Sequence, residues 1–120
     1  MEVKSYRDLI VWQKAMRFVT DIYRDTECFP KTEQFGLIPQ IRRAAISVPS
    51  NIAEGYGRNS TADYLRFLQI ARGSIYEVET QLEIALNLNY LSAARSEKLN
   101  EQSDEISRML NGLITKLKNN

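Results

Sequence analysis

One long run of apolar residues constrains this chain more than any other feature of its sequence. The run extends from Tyr64 to Asn89, and its members follow one another at alternating steps of four and three residues. Such spacing places side chains on one stripe of an α-helix. Ser60 precedes the run with Asp63 three residues later, which resembles an N-terminal capping box. The pattern predicts a helix of about 28 residues, roughly 42 Å long at 1.5 Å per residue.

The segment before this run carries two prolines and is harder to interpret. A seam at steps of four, three and four residues extends from Ile41 to Ile52. Pro39 suits the first position of a helix, where a missing N–H costs nothing, so the helix is predicted to begin there. Pro49 removes one hydrogen bond inside the helix, but the seam keeps its phase across it. We therefore expect a kinked and continuous helix.

Two further amphipathic segments complete the chain, at about residues 6–26 and 92–118. Four such segments with short connections predict an all-α fold, an antiparallel up-down-up-down four-helix bundle formed as one domain by residues 1–120. No apolar run is long enough to span a membrane, and the N-terminus lacks an apolar signal region. We expect a cytoplasmic protein without membrane contact. One face of the first helix is expected to comprise Trp12, Ala15, Met16, Val19, Ile22 and Tyr23.

The composition excludes several classes of catalytic and metal site. Histidine is absent and Cys28 is the only cysteine, so a Ser-His-Asp triad, a Cys-His pair and a Cys/His zinc site cannot form within one chain. A di-iron bundle with Glu-x-x-His pairs is excluded for the same reason. Gly-rich phosphate loops are also missing from the sequence. We expect no enzymatic activity, no cofactor and no metal.

The long helix is apolar over much of its circumference, which indicates burial on more than one side. A slim bundle leaves such surface uncovered, and the chain has little loop to cover it. We therefore expect self-association through the second and third helices. The candidate interface residues are Ile46, Ala53, Phe67, Ile70 and Ile84.

Four stretches of the sequence resemble one protein family. They read LIVWQKAM at residues 9–16, FGL and QIRRAA within 35–45, SVPSNIAEG at 47–55, and FLQIARGS at 67–74. Together they are similar to the four-helix-bundle family named after the intervening sequences of bacterial 23S ribosomal RNA genes. The resemblance implies a homopentameric assembly of bundles. It also implies a kinship with accessory proteins of diversity-generating retroelements, which bind nucleic acid and a reverse transcriptase.

Arginines are the candidate ligand-binding residues, because guanidinium groups bind phosphate with two parallel hydrogen bonds. Residues 37–76 hold five arginines against Glu54 and Asp63, a balance of +3 in a chain of net charge +1. The leading hypothesis is an RNA- or DNA-binding accessory scaffold; the alternative is a protein-interaction scaffold that binds no nucleic acid. Arg43 is equally compatible with pairing to a carboxylate such as Glu54 of a neighbouring chain. The candidate nucleic-acid-binding residues are Arg42 and Arg43, extended by Arg58, Arg66 and Arg72.

Overall fold

The computed structural model describes residues 2–119 and is helical almost throughout; Met1 and Asn120 of the domain predicted over residues 1–120 lie outside the described residues. No strand occurs within residues 2–119, so the predicted all-α class is confirmed. Short 3₁₀ turns at Tyr6–Asp8 and Lys31–Glu33 precede the first two helices. The helices are α1 (Ile10–Thr26), α2 (Leu37–Tyr56), α3 (Thr61–Asn87) and α4 (Ala93–Lys118).

Neighbouring helices are antiparallel, because their contacts run in reverse order along the chain. Between α1 and α4, Arg95 Nη2 lies 2.6 Å from Asp25 Oδ2, whereas Lys14 Nζ lies 3.2 Å from Glu105 Oε1. Each helix contacts the next one along the chain, and α4 returns to contact α1. Contacts between α2 and α3 are reversed in the same way, since Ser47 meets Ser74 and Gly55 meets Phe67. Contacts between α3 and α4 follow the same order, since Arg72 meets Asn111 and Glu79 meets Ser103.

The core lies along the predicted seams of the two central helices. The seam from Ile41 to Ile52 is completely buried, and the α3 seam is buried from Leu68 to Ala85. The face predicted for α1 is partly wrong. Phe18, which the prediction left out, is fully buried. Met16, which the prediction placed on the buried face, is 42% exposed. Apolar residues cover a wide arc of α1, so the contacts with α2 and α4 decide which part of that arc is buried.

Two helix starts differ from the prediction for local reasons. The capping box of Ser5 and Asp8 closes a 3₁₀ turn, and Leu9 is extended, so α1 begins at Ile10. Helix α2 begins at Leu37, two residues before Pro39. Pro39 is still within the first four positions, whose N–H groups have no intrahelical partner, so it costs no hydrogen bond.

Glu33 provides the N-terminal cap of α2 from outside the helix. Its Oε1 accepts a hydrogen bond from the Leu37 N–H at 3.0 Å, while Gly36 contributes no side chain. Helix α2 then continues through the buried Pro49 without interruption, so the predicted continuity is confirmed and the kink stays a prediction. Ser60 caps α3 as predicted, since its Oγ accepts a hydrogen bond from the Asp63 N–H at 3.1 Å.

Candidate functional surfaces

Arg42 ties α2 to the C-terminal end of α1. Its Nε donates to Thr26 Oγ1 at 2.9 Å and its Nη2 donates to the Tyr23 carbonyl oxygen at 3.2 Å. The guanidinium also lies over the Tyr23 ring, 4.5 Å from the centroid. Helix C-terminal carbonyls lack intrahelical partners and carry partial negative charge, so a guanidinium is favourable there. The Arg42 guanidinium is therefore held within the protomer by two hydrogen bonds and by the Tyr23 ring.

Arg43 is exposed on the outer side of α2, at the edge of an open groove between α1 and α2. Within residues 2–119, no hydrogen bond or ion pair engages its guanidinium. The groove has a cavity volume of about 370 Å³, and its walls are mainly apolar. We call it the α1–α2 groove; it is defined by Tyr23, Ile38, Pro39, Arg42, Arg43 and Ile46.

Arg58 and Arg66 lie together at the turn between α2 and α3. Their Cζ atoms are 4.7 and 4.9 Å from the centroid of the Phe67 ring. Each also has a nearby acidic partner, Glu54 Oε2 at 2.6 Å from Arg58 Nη2 and Asp63 Oδ1 at 3.8 Å from Arg66 Nη2. Phe67 was a candidate interface residue, but it is only 8% exposed and packs within the protomer beneath these guanidinium groups.

The five candidate arginines do not form one surface. Arg72 Nη1 donates to Asn111 Oδ1 at 3.0 Å and so connects α3 to α4. Arg43 lies in the second turn of α2, whereas Arg58 lies two residues beyond its C-terminal end, so the two are about 20 Å apart at the helical rise of 1.5 Å per residue. Arg42 and Arg72 therefore connect helices, whereas Arg43 lies at the groove, and Arg58 and Arg66 form a pair at the α2–α3 turn.

Exposed apolar side chains occur on a second surface, along the edge of α3 that borders α2. Ile70 and Ile84 are each 43% exposed. Ser74 lies one turn after Ile70, and its Oγ donates to Ser47 Oγ of α2 at 2.8 Å, which places this edge beside α2. We call it the α3 stripe; its exposed members are Ile70, Glu77, Ile84 and Leu88.

The remaining candidate interface residues, Ile46 and Ala53, belong to α2. Ile46 is 41% exposed and lines the α1–α2 groove, and Ala53 is half-buried seven residues later. The sequence analysis did not single out Tyr23 as a groove residue or Glu77 as part of the stripe. The spacing of Ile70, Glu77 and Ile84, seven residues apart, was the available signal for the stripe.

Gln81 is a buried polar residue next to the α3 stripe. It is 6% exposed, and its Oε1 has no hydrogen-bond partner among residues 2–119. Its Nε2 lies 3.5 Å from Glu77 Oε2, at the outer limit of a hydrogen bond. The Glu77 carboxylate on the surface of α3 therefore has only a weak hydrogen-bond partner at this position.

Two tyrosines have raised pKa values, and in each the cause is its packing or hydrogen bonding within the protomer. Burial, with a smaller effect of Tyr56, raises the pKa of Tyr64. The hydrogen bond from the Tyr90 hydroxyl to Glu33 Oε2, at 3.0 Å, raises the pKa of Tyr90. Residues 2–119 contain no cluster of three or more acidic or cysteine side chains that could bind a metal ion. None of the helices in this part of the chain combines the length and the hydropathy needed to span a membrane.

Comparison with known proteins gives one family and a structural neighbour. Residues 7–112 match the model of the family described as 23S rRNA-intervening sequence protein. A crystal structure from Bacteroides thetaiotaomicron, described as a protein with unknown function from the S23 ribosomal protein family, superposes with a TM-score of 0.80 at 29% sequence identity. That superposition covers 88% of this chain and 98% of the neighbour. The comparison with curated proteins gives no significant match.

Proposed function

The chain belongs to the 23S rRNA-intervening sequence protein family, and on that premise we propose that it is a non-enzymatic scaffold that assembles with copies of itself and binds RNA or DNA. The observation that carries the proposal is the exposure of apolar side chains at the α1–α2 groove and along the α3 stripe. Ile46 is 41% exposed in the groove, and Ile70 and Ile84 are 43% exposed in the stripe.

Self-assembly explains why these side chains are at the surface. Apolar side chains exposed in a row along one helix face are typical of an interaction surface. The two surfaces differ, so a contact between them is head-to-tail, and repeated head-to-tail contacts close into a ring when the rotation permits. The family resemblance favours five copies. A cytoplasmic location fits a chain whose single cysteine, Cys28, is exposed and has no disulfide partner in the chain.

Nucleic-acid binding is proposed for the ends of the bundles, which a side-by-side assembly leaves accessible. Arg58 and Arg66 lie at one such end, with 43% and 62% of their side chains exposed. Because Glu54 and Asp63 partly neutralise them, the affinity of one protomer for phosphate is expected to be low. An assembly repeats the pair in every copy, and multivalency raises the overall affinity. The kinship that the family resemblance implies with nucleic-acid-binding accessory proteins supports testing nucleic acid first.

The test combines the mass of the assembly with salt-dependent binding. Light scattering coupled to size exclusion is expected to give a mass several times the 13.9 kDa of one chain. Fluorescence anisotropy with labelled RNA and DNA at two salt concentrations is expected to show binding that weakens as salt rises. The double variant R58A/R66A should bind at least about tenfold more weakly, and the matched control R108A, on an exposed part of α4, should not.

Two results would refute parts of this proposal separately. A monomer at micromolar concentration would refute the assembly. Binding that is insensitive to salt, or unchanged in R58A/R66A, would refute the role of the arginine pair.

The open α1–α2 groove supports a second candidate function, a protein-interaction scaffold that binds no nucleic acid. Apolar walls next to guanidinium groups suit a protein partner with apolar and acidic side chains. A stoichiometric protein partner that is lost in an I46D variant, together with no anisotropy change for RNA or DNA, would favour this candidate over the first.

A further inference from the structure

We propose that the α1–α2 groove of one copy receives the α3 stripe of a second copy, and that Arg43 of the groove pairs with Glu77 of the stripe. This inference rests on the self-assembly part of the proposed function and specifies which surfaces meet. The occupant follows from charge complementarity between the two surfaces of the same chain.

The groove presents a positive charge between apolar groups. Arg43 follows Pro39 by four residues and precedes Ile46 by three, so an apolar side chain lies about one helical turn away on either side. Pro39 and Ile46 line the same groove as Arg43. Its neighbour Arg42 is held against Tyr23 and Thr26, which leaves the Arg43 guanidinium as the one whose donors are free of partners within residues 2–119.

The α3 stripe presents a negative charge between apolar groups. Glu77 lies seven residues from both Ile70 and Ile84, about 10.5 Å from each along the helix axis. No lysine or arginine among residues 2–119 lies within ion-pair distance of the Glu77 carboxylate. The stripe therefore carries a carboxylate flanked by apolar side chains, and the groove carries a guanidinium flanked by apolar side chains. The complementarity is one of charge, because the flanking apolar residues are 7 residues apart in the groove and 14 apart in the stripe.

An ion pair between Arg43 and Glu77 allows both side chains to be buried when the two copies meet. Removing an unpaired charge from water is costly, so covering the apolar groups around Arg43 requires a carboxylate opposite it. A guanidinium and a carboxylate can form two parallel hydrogen bonds, which also fix the register of the two helices. A neutral or basic occupant leaves Arg43 unpaired, and this disfavours such an occupant.

Charge reversal tests the contact directly. R43E and E77R each place like charges opposite one another, whereas the double variant R43E/E77R restores an opposite pair with its direction reversed. Both positions are exposed, so each variant is expected to fold, which circular dichroism verifies. Sedimentation velocity should show each single variant dissociating at a concentration at least about tenfold higher than the wild type, and the double variant returning to within about threefold of it. R108E on α4 is the control for a general effect of charge and should assemble normally.

The outcomes separate this contact from the proposed function. If the wild type assembles but R43E and E77R do not weaken the assembly, or the double variant is not restored, the Arg43–Glu77 contact is refuted and self-assembly remains. If the wild type is monomeric, both the contact and the proposed self-assembly are refuted. If a different protein occupies the groove, the Arg43–Glu77 contact is refuted. Mixing R43E with E77R gives a further measure, because each interface between the two variants again joins opposite charges, and the mixture should assemble better than either variant alone.

Discussion

Substitution of Gly55 by alanine tests how closely α2 and α3 approach each other. A Cβ at this position would lie 2.7 Å from Phe67 Cβ, 3.1 Å from Tyr64 Cδ1 and 3.3 Å from the Tyr64 carbonyl oxygen. Phe67 Cβ and the Tyr64 carbonyl are fixed to the α3 backbone and cannot rotate away. The helices must therefore separate locally to accommodate the methyl group.

The expected loss follows from two opposing contributions. Inserting a methyl group into a packed contact costs about 1–3 kcal/mol, and the fixed obstacles put Gly55→Ala near the upper end of that range. Alanine returns at most about 1 kcal/mol through its higher helix propensity. The free energy of unfolding should fall by about 2 kcal/mol, which lowers Tm by about 8 °C in a chain of this length.

Two other glycines provide matched controls. A Cβ added at Gly73 of α3 or Gly112 of α4 would meet no atom within 4 Å. Alanine at either position should stabilise the protein by about 0.5–1 kcal/mol, because only helix propensity and backbone entropy change. Thermal and urea unfolding at equal protein concentration measure all three variants. If Gly55→Ala is as stable as Gly112→Ala, the argument from close helix contact is wrong.

Two further predictions concern side chains that hold the bundle together. Arg42→Ala should lower the free energy of unfolding by about 1–3 kcal/mol, because it removes hydrogen bonds to α1. Arg43→Ala should change the free energy of unfolding by less than about 0.5 kcal/mol, both measured by urea unfolding of dilute protein. Equal losses would contradict the different roles assigned to the two residues. The pKa of Tyr90 is raised above 10.0 by its hydrogen bond to Glu33, so the stability from this bond is complete below about pH 10 and is lost as pH rises through the raised value. Between about pH 8 and about pH 11, the urea midpoint of the wild type should therefore fall more than that of Tyr90→Phe; parallel pH profiles would show that the bond contributes nothing.

The sequence alone was sufficient to predict the helices and most of the core. The seam from Ile41 to Ile52 is buried as predicted, and so is the α3 seam between Leu68 and Ala85. The cap at Ser60 was also predictable. These features depend on the period of one helix and on bonds between residues a few positions apart, so they are local properties of the chain.

The start of α2 was less predictable because the residue at the N-cap position, Gly36, has no side chain and Glu33 caps the helix from an unusual position. Glu33 caps Leu37 across a glycine and also accepts a hydrogen bond from Tyr90, which lies 57 residues further along the chain. No pattern within α2 indicates such a cap. The predicted start at Pro39 was therefore two residues late.

The roles of the arginines were decided by tertiary structure. Arg42 and Arg43 are adjacent in sequence, yet one is held by the end of α1 and the other is exposed at a groove. Phe67 has an apolar side chain suited to an interface, but Arg58 and Arg66 cover it within the protomer. A sequence period states which residues share a face of a helix. The packing of four helices determines where that face points, and a long side chain takes its partners from whatever segment lies opposite.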